Sequence, residues 1–224
     1  AGRGMNPARI RSAVLAPVLA VIVAALLCAV ALLVSGDSPL SAFGVMVSQL
    51  GSGTVAVDTV NSAAVYYIAA LAVAVGFQMK LFNIGVEGQF RVAACVAAIV
   101  GGTVALPPVL HTLVIILVAV LTGAVWIAVP ALLKAYRGVS EVISTIMLNA
   151  VATGMIAFLI RPETFGQLEG NNITTPPIAP SGWFPGLSLG SSGTIFGMVL
   201  VAAALGVGYW FLLGRTRFLS LIHI

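Results

Sequence analysis

Long apolar runs separated by short polar segments dominate the pattern of this chain. Six of them, at 13–34, 63–79, 90–106, 109–133, 142–160 and 194–213, approach or exceed the roughly 17–25 residues that cross a hydrocarbon core of about 30 Å. No Asp, Glu, Lys or Arg lies in the interior of any run, and Arg91 stands at the very start of the third. A charge at the centre of a spanning helix costs about 2.5–3.5 kcal/mol on insertion scales, so this absence is what lipid exposure demands. Backbone polar groups must also be paired inside a bilayer, which leaves helices or closed barrels. Continuous apolarity without period-two alternation selects helices. The pattern predicts an all-α, polytopic helical membrane protein with six transmembrane helices. Arg9 and Arg11 flank the first run as they would a secretory signal, but its length exceeds the about 7–15 residues of a signal core. It is expected to remain as an anchor.

Alternating the direction of the spans fixes an orientation. With the N-terminus cytoplasmic, Arg3, Arg9, Arg11, Lys80, Arg91, Lys134, Arg137, Arg215 and Arg217 fall on the inner side and Arg161 alone falls outside. Such a bias follows the positive-inside rule, and adding or dropping one span would scramble it. Two longer loops, 35–62 and 161–193, are then external. The apolar stretch 39–50 in the first fits the membrane interface. The second is rich in Pro, Gly, Asn and Ser, and its Trp183 and Phe184 suit an interfacial anchor.

Composition narrows the classes further. Hydrophobic residues make up 60% of the 224 positions and charged ones 7%, far from the balance of a soluble domain. The net charge of +4 comes from basic residues scattered at segment ends, which argues for topology and against binding of a nucleic-acid polymer. The two cysteines, Cys28 and Cys95, lie in apolar runs and suggest packing residues, with no disulfide framework or metal site.

Two polar interruptions carry the candidate chemistry. The first is Lys80-Leu-Phe-Asn-Ile-Gly-Val-Glu-Gly-Gln-Phe-Arg91, where Gly85 and Gly88 loosen the backbone and Asn83, Glu87 and Gln89 offer hydrogen-bonding groups. Short spans meeting at a Gly-containing polar break point to transport pathways, where irregular backbone lines a cavity or is buried in protein. A plain cytoplasmic turn explains the same residues, and Lys80 and Arg91 favour a place near the inner surface. At this break the Glu87 carboxylate is expected to bond backbone amides freed by the interruption. The second is Gly138-Val-Ser-Glu-Val-Ile-Ser-Thr-Ile-Met-Leu-Asn149. On a helix its Glu141, Thr145 and Asn149 form one stripe descending into the membrane, facing either protein or a water-filled path. Ordinary interhelical hydrogen bonding accounts equally for Thr145 and Asn149, and a dipole-favoured N-terminal charge for Glu141.

Together, Phe-Asn-Ile-Gly-Val-Glu-Gly-Gln at 82–89 and Gly-Val-Ser-Glu-Val-Ile-Ser-Thr-Ile-Met-Leu-Asn at 138–149 closely resemble the permease subunits of bacterial ABC importers. The likeness is to the nucleoside and simple-sugar branch of the group that includes ribose and branched-chain amino-acid permeases. It implies a multi-pass protein of the bacterial cytoplasmic membrane, surrounded by lipid, that moves a small polar solute by alternating access. It also implies three partners: an ABC ATPase, an extracytoplasmic solute-binding protein and a second permease subunit, identical or not. No catalytic residue, cofactor or metal is expected. For a neutral nucleoside or sugar the pathway candidates are Asn61, Tyr66, Tyr67, Asn83, Glu87, Gln89 and Asn149, with at most one of the two adjacent tyrosines facing the path. Lys134, Arg137, Glu141, Arg215 and Arg217 are the candidates for the cytoplasmic coupling face. The resemblance covers 1–218, read as the N-terminal part of a permease domain, and the tail at 219–224 is unlike the coupling segment found at that place in such permeases. The chain is accordingly expected to be a fragment, too short in cytoplasmic sequence to stimulate an ATPase or support uptake even with its partners, and a family-like extension after Phe218 is expected to restore both.

Other readings carry less. A Gly-x-x-x-x-Gly-Lys-Ser/Thr phosphate loop is missing from the sequence, which assigns ATP hydrolysis to a partner. Gly186-Leu-Ser-Leu-Gly190 matches a nucleophile elbow in form, yet Ser188 sits in a Pro/Gly-rich loop without the strand and helix context the motif needs. Asn172-Ile-Thr174 fits a glycosylation sequon on three residues alone. The alternative function is a secondary transporter or channel for a small solute, although such proteins ordinarily use intramembrane ionisable groups to bind coupling ions.

Overall fold

The computed structural model describes residues 7–215 and the side chains of 15–213. Arg3, Arg217 and the tail 219–224 lie outside the described residues, as do the side chains of Arg9, Arg11 and Arg215. Seven α-helices account for most of the described chain: α1 Pro7–Val34, α2 Pro39–Gln49, α3 Gly53–Gln78, α4 Val86–Thr103, α5 Leu110–Arg137, α6 Glu141–Leu159 and α7 Met198–Arg215. Each of the six apolar runs contains most of a helix. Four helices are long and apolar enough to cross a membrane, Leu15–Val34, Gly53–Gln78, Leu110–Arg137 and Glu141–Leu159, and Met198–Leu213 is a shorter apolar helix. The described part of α1 is exposed nearly all round although almost every residue is apolar, which is stable only where lipid covers it.

Three boundaries differ from the hydropathy pattern. Helix α3 starts ten residues before the apolar run at 63–79, because Asp58, Asn61 and Ser62 interrupt hydropathy without interrupting the helix, and no Pro stands between Gly53 and Gln78. The stretch at 39–50 is a helix, with Ser38 as N-cap, its side chain accepting from the Ser41 amide, and Pro39 at the first position. The run at 194–213 begins as strand. Thr194–Phe196 (β4) pairs antiparallel with Gly186–Ser188 (β3), and α7 starts only at Met198. Thr, Ile and Phe are strand formers that a hydropathy window cannot tell from helix. A second hairpin, Gln167–Glu169 (β1) with Asn172–Thr174 (β2), also lies in the segment read as irregular loop.

The chain divides into two compact units, 1–57 with Ser191–Gly193, and 58–190 with 194–224. In the first, α1 packs on α2. In the second, α4 lies against α5 and α6, and the short 3-10 turn Pro180–Gly182 docks on α5. The buried side chains of α4 are Val92, Cys95, Ala97 and Ile99, small or branched residues that let helices approach closely.

Candidate functional site

The break between α3 and α4 is built from the backbone outward. Helix α3 closes with the Leu81 amide bonded to the Gly76 carbonyl at 2.9 Å and the Lys80 amide to Phe77 at 3.0 Å, while Lys80 adopts φ 56°. This is a Schellman closure with lysine where glycine is usual. Helix α4 then opens at Gly85 with amides that have no partner of their own. Asparagine side chains supply them. Asn83 Oδ1 accepts from the Gly85 amide at 2.9 Å, and Asn149 Oδ1, reaching across from α6, accepts from the Gly88 amide at 2.9 Å. The same Asn149 amide donates to the Ile84 carbonyl at 3.1 Å, so one side chain ties the segment before α4 to the first turn of that helix.

Close approach makes this clamp possible. A Cβ on Gly88 would stand 2.6 Å from Asn149 Oδ1 and 3.0 Å from the Asn149 Cα. Thr145 is 2% exposed, its hydroxyl donates to the Glu141 carbonyl at 2.7 Å, and its Cβ packs where a Gly85 side chain would be. The stripe Glu141, Thr145, Asn149 therefore faces the break.

Glu87 departs from expectation. Its carboxylate bonds no freed amide; it is exposed and sits 3.6 Å from Arg91 one turn along α4. Asn83 and Asn149 serve the Gly85 and Gly88 amides instead, which the spacing of one sequence does not disclose. Glu87→Gln is expected to change stability by no more than the about 0.3–0.5 kcal/mol of an exposed i,i+4 pair, as read from the unfolding midpoint in mixed micelles.

Gln89 carries the break to α5. Its Nε2 donates to the Gly123 carbonyl at 3.0 Å, and its Oε1 accepts from Asn83 Nδ2 at 3.4 Å. Gly123 lies midway along the 28-residue α5, about 20 Å from either end at ~1.5 Å per residue. The polar network thus reaches the middle of a spanning helix. Further along α5, Lys134 Nζ meets Glu141 at 2.7 Å across a three-residue connection that begins at Gly138 in the left-handed region, φ 66°. Lys134 in a last turn and Glu141 in a first turn each complement the dipole of their own helix. Arg137, in that same last turn, completes the basic end.

Three cavities lie along these helices. One of about 310 Å³ is lined by Asn61, Ser62, Val65, Phe184, Phe196, Met198 and Val199. A second of about 580 Å³ lies among α3, α4 and α5, with Gln89 as its polar side chain. A third of about 380 Å³ is lined by Asn83, Pro130, Lys134, Glu141 and Thr145 among others. These volumes are in the about 300–1,000 Å³ range of small-molecule sites. Asn61, Gln89 and Asn83 thus line one cavity each. Asn61 is also structural, since it donates to the Thr194 carbonyl at 2.9 Å and accepts from the Phe196 amide at 3.0 Å, covering the free edge of β4. Tyr66 is 76% exposed, and the Tyr67 ring end lies over Gly206 of α7. Tyr66, Tyr67, Glu87 and Asn149 line none of the three cavities.

Two features escaped the sequence. His111 is fully buried, with Nε2 2.9 Å from the Gly101 carbonyl and Nδ1 2.9 Å from Ser181 Oγ. A carbonyl can only accept, so Nε2 carries the proton and Nδ1 accepts from the serine. Although this is a Ser-His pair, it has no access, and the group behind the imidazole is a peptide carbonyl. It docks the segment between α6 and α7 on α4 and α5. Pro130, inside α5 and buried, has no amide to give the Trp126 carbonyl, and Trp126 Nε1 is a buried side-chain atom left without a partner among the described residues. A proline within an apolar run was the signal for that place. Ser188 ends exposed strand β3 and is followed by the single 3-10 turn Gly190–Ser192 and then β4, not by an α-helix, so the nucleophile-elbow context is missing.

Comparison with known proteins agrees with this architecture. Residues 55–218 match the family described as the permease component of the branched-chain amino acid transport system, and the chain belongs to that family. It is 33% identical over 218 aligned residues to the glucose ABC transporter permease protein TsgB13 of Haloferax volcanii, covering 90% of this chain and 55% of that protein. To the guanosine ABC transporter permease protein NupP of Bacillus subtilis it is 30% identical over 213 residues, covering 92% and 59%. To the nucleoside ABC transporter permease protein NupB of Lactococcus lactis it is 31% identical over 150 residues, covering 66% and 41%. The chain spans little more than half the length of the first two. No solved structure matches it. It is a multi-pass protein of the inner membrane.

Proposed function

We propose that this protein is a transmembrane permease subunit of an ATP-driven importer, translocating a small polar solute of the nucleoside or simple-sugar class by alternating access. The observation that carries this reading is the polar break whose Asn83–Gln89 network reaches mid-membrane with cavities on either side, an arrangement suited to passing a solute and not to transforming one. The named relatives carry glucose, guanosine or nucleosides, which supports the solute class. An ABC ATPase would supply the energy, a solute-binding protein would deliver from outside, and a second permease, identical or different, would complete the pore within lipid. The N-terminus, Lys80, Lys134, Arg137 and Glu141 would lie on the cytoplasmic side, in six crossings, with Lys134, Arg137, Glu141, Arg215 and Arg217 forming the face toward the ATPase. Asn61, Asn83 and Gln89 are the retained pathway contacts. Tyr66, Tyr67, Glu87 and Asn149 would act on the pathway only through the helices that they belong to.

Uptake decides the matter. The whole protein its gene encodes, reconstituted in proteoliposomes with a partner ATPase and solute-binding protein of this importer class, is expected to accumulate radiolabelled guanosine or glucose only with ATP on the cytoplasmic side. Accumulation driven by an ion gradient without ATP would make it a secondary transporter, and no accumulation of either solute would remove the solute class.

A further inference from the structure

Helix α5 is tied to its neighbours on both sides of a proline. Toward its start, the Gly123 carbonyl accepts from Gln89 Nε2 of α4 at 3.0 Å, and His111 bonds the Gly101 carbonyl at 2.9 Å. Toward its end, Lys134 meets Glu141 of α6 at 2.7 Å. Pro130 stands between these ties, buried within the helix. It has no N–H for the Trp126 carbonyl, and its ring crowds the preceding turn. Trp126 Nε1 is buried without a partner among the described residues, so the turn from Trp126 to Pro130 lacks one backbone bond and one side-chain bond. Space lies beside the part beyond the proline. Ala131, Lys134 and Ala135 line the cavity of about 380 Å³, together with Leu81 and Asn83 of the segment between α3 and α4 and Glu141 of α6. The small alanine side chains let α5 close part of a volume that close-packed interiors seldom leave empty. Helix α6 has no such freedom, because Asn149 ties it to Gly88 and Ile84.

We infer that α5 is hinged at Pro130, that its end, 131–137, is an arm that swings into this cavity toward Leu81 and Asn83, and that the Lys134–Glu141 pair is the latch holding the arm to α6. For its part in transport this rests on the importer reading above. The arm ends at Arg137, on the face proposed to meet the ATPase, so force applied there turns at the proline and reaches the segment that carries Asn83. Glu141 acts through Lys134 and touches no solute, which makes it a positioning residue.

The missing bond is what makes bending possible at this turn. An unbroken helix bends sharply only by parting a backbone hydrogen bond, and at Pro130 that bond is already absent. The latch has the strength of a contact that opens and closes. Its side chains are 40% and 20% exposed, and a partly solvated ion pair is modest, although each partner also complements the dipole of its own helix. Only residues 138–140 join the arm to α6, which keeps the swing short. Two arrangements follow: the arm latched on Glu141 with the cavity open, and the arm released with part of the cavity filled.

The test is the distance across the hinge, read by paired spin labels in the whole protein assembled with a partner ATPase and solute-binding protein, with Cys28→Ala and Cys95→Ala as background. Tyr136→Cys marks the arm at an exposed residue, and Ala94→Cys marks α4 at another. Two distance populations are expected, in a ratio that changes between ATP-free and ATP-bound states. Pro130→Ala restores an amide for the Trp126 carbonyl. It should leave one population and lower the turnover of uptake about five- to tenfold, the factor that one ordinary hydrogen bond represents, at an unchanged half-saturating solute concentration. Pro130→Val supplies the same amide and fills the volume of proline, and it gives the same reading where Pro130→Ala does not fold. Glu141→Gln keeps the size and removes the charge, so it should shift the ATP-free ratio about two- to fivefold toward the released population, the factor of a partly exposed ion pair, and raise ATP hydrolysis without solute. A single distance in every state, or a Pro130 variant with both populations and full turnover, overturns the hinge. An unchanged ratio in Glu141→Gln overturns the latch. If uptake is absent while the two populations still collapse to one in the Pro130 variants, it is the importer reading that fails and the hinge stands.

Discussion

Gly88→Val is expected to cost about 3 kcal/mol or more of stability and Asn149→Ala about 1–3 kcal/mol, both by loosening α4 from α6. In the first case the added Cβ meets Asn149 Oδ1 and, at 3.0 Å, the Asn149 Cα. A side chain can turn away, but the α6 backbone can yield only if the helix shifts, and Ala152 beside it is 1% exposed with no slack. In the second case the Gly88 amide, at a buried position, loses its acceptor at 2.9 Å. Interhelical hydrogen bonds in membranes average only about 0.6 kcal/mol, because the reference state finds other partners. The larger value is expected here because a third-position amide of a helix has no carbonyl of its own to fall back on. SDS titration in mixed micelles measures both. Asn149→Asp separates the roles, since it keeps the acceptor for Gly88 and puts a carboxylate oxygen against the Ile84 carbonyl, and it should fall between wild type and Asn149→Ala if each half of the clamp matters. An Asn149→Ala midpoint equal to wild type would mean that packing alone holds the crossing.

The helices were legible because crossing a bilayer needs about 17–25 consecutive apolar residues whether they face lipid or protein. Each of the six runs contains most of a helix on that account. Their ends were less legible, for reasons visible in particular residues. Asp58, Asn61 and Ser62 are polar yet helical in α3, so hydropathy placed its start too late. Thr194, Ile195 and Phe196 are apolar enough to extend a run, yet β3 supplied a partner strand. Ser38-Pro39 announced α2 by its capping chemistry, a local signal independent of hydropathy.

The break was legible as a place but not as a mechanism. Sequence brought out Asn83, Glu87, Gln89, Glu141 and Asn149 as polar residues in two interruptions, and the fold brings the interruptions together, with Asn149 spanning 61 positions to reach Gly88. What one sequence cannot carry is which side chain meets which orphaned amide. Glu87, the most conspicuous residue by charge, turned outward to Arg91, and the neutral amides did the bonding. Desolvation explains that outcome: an amide side chain satisfies backbone groups inside the membrane without the cost of a buried charge.

His111→Ala is the other substitution expected to act strongly, at the dock of the segment between α6 and α7. The imidazole is fully enclosed, so its removal leaves a void as well as an unpaired Gly101 carbonyl and Ser181 hydroxyl, together about 3 kcal/mol. The loss should appear locally before it appears globally. The turn Pro180–Gly182 docks on α5, and a Cβ at Gly182 would stand 3.0 Å from the His111 ring, so glycine is what allows the segment to close over the histidine. Hydrogen exchange at the Gly182 and Trp183 amides, bonded at 2.8 and 3.2 Å to Ala179 and Pro180, should accelerate in His111→Ala while the α4 amides near Asn149 keep their protection. Gly102→Ala is an independent check, since its Cβ would run into the Pro176 backbone and lift the same segment without touching the imidazole. His111→Gln, with one donor end and one acceptor end, should recover part of the protection. If both His111→Ala and Gly102→Ala left exchange at Gly182 unchanged, the segment between α6 and α7 would owe its position to its own hairpins and Trp183, whose Nε1 donates to the Ile178 carbonyl at 2.9 Å, and not to its dock on α4 and α5.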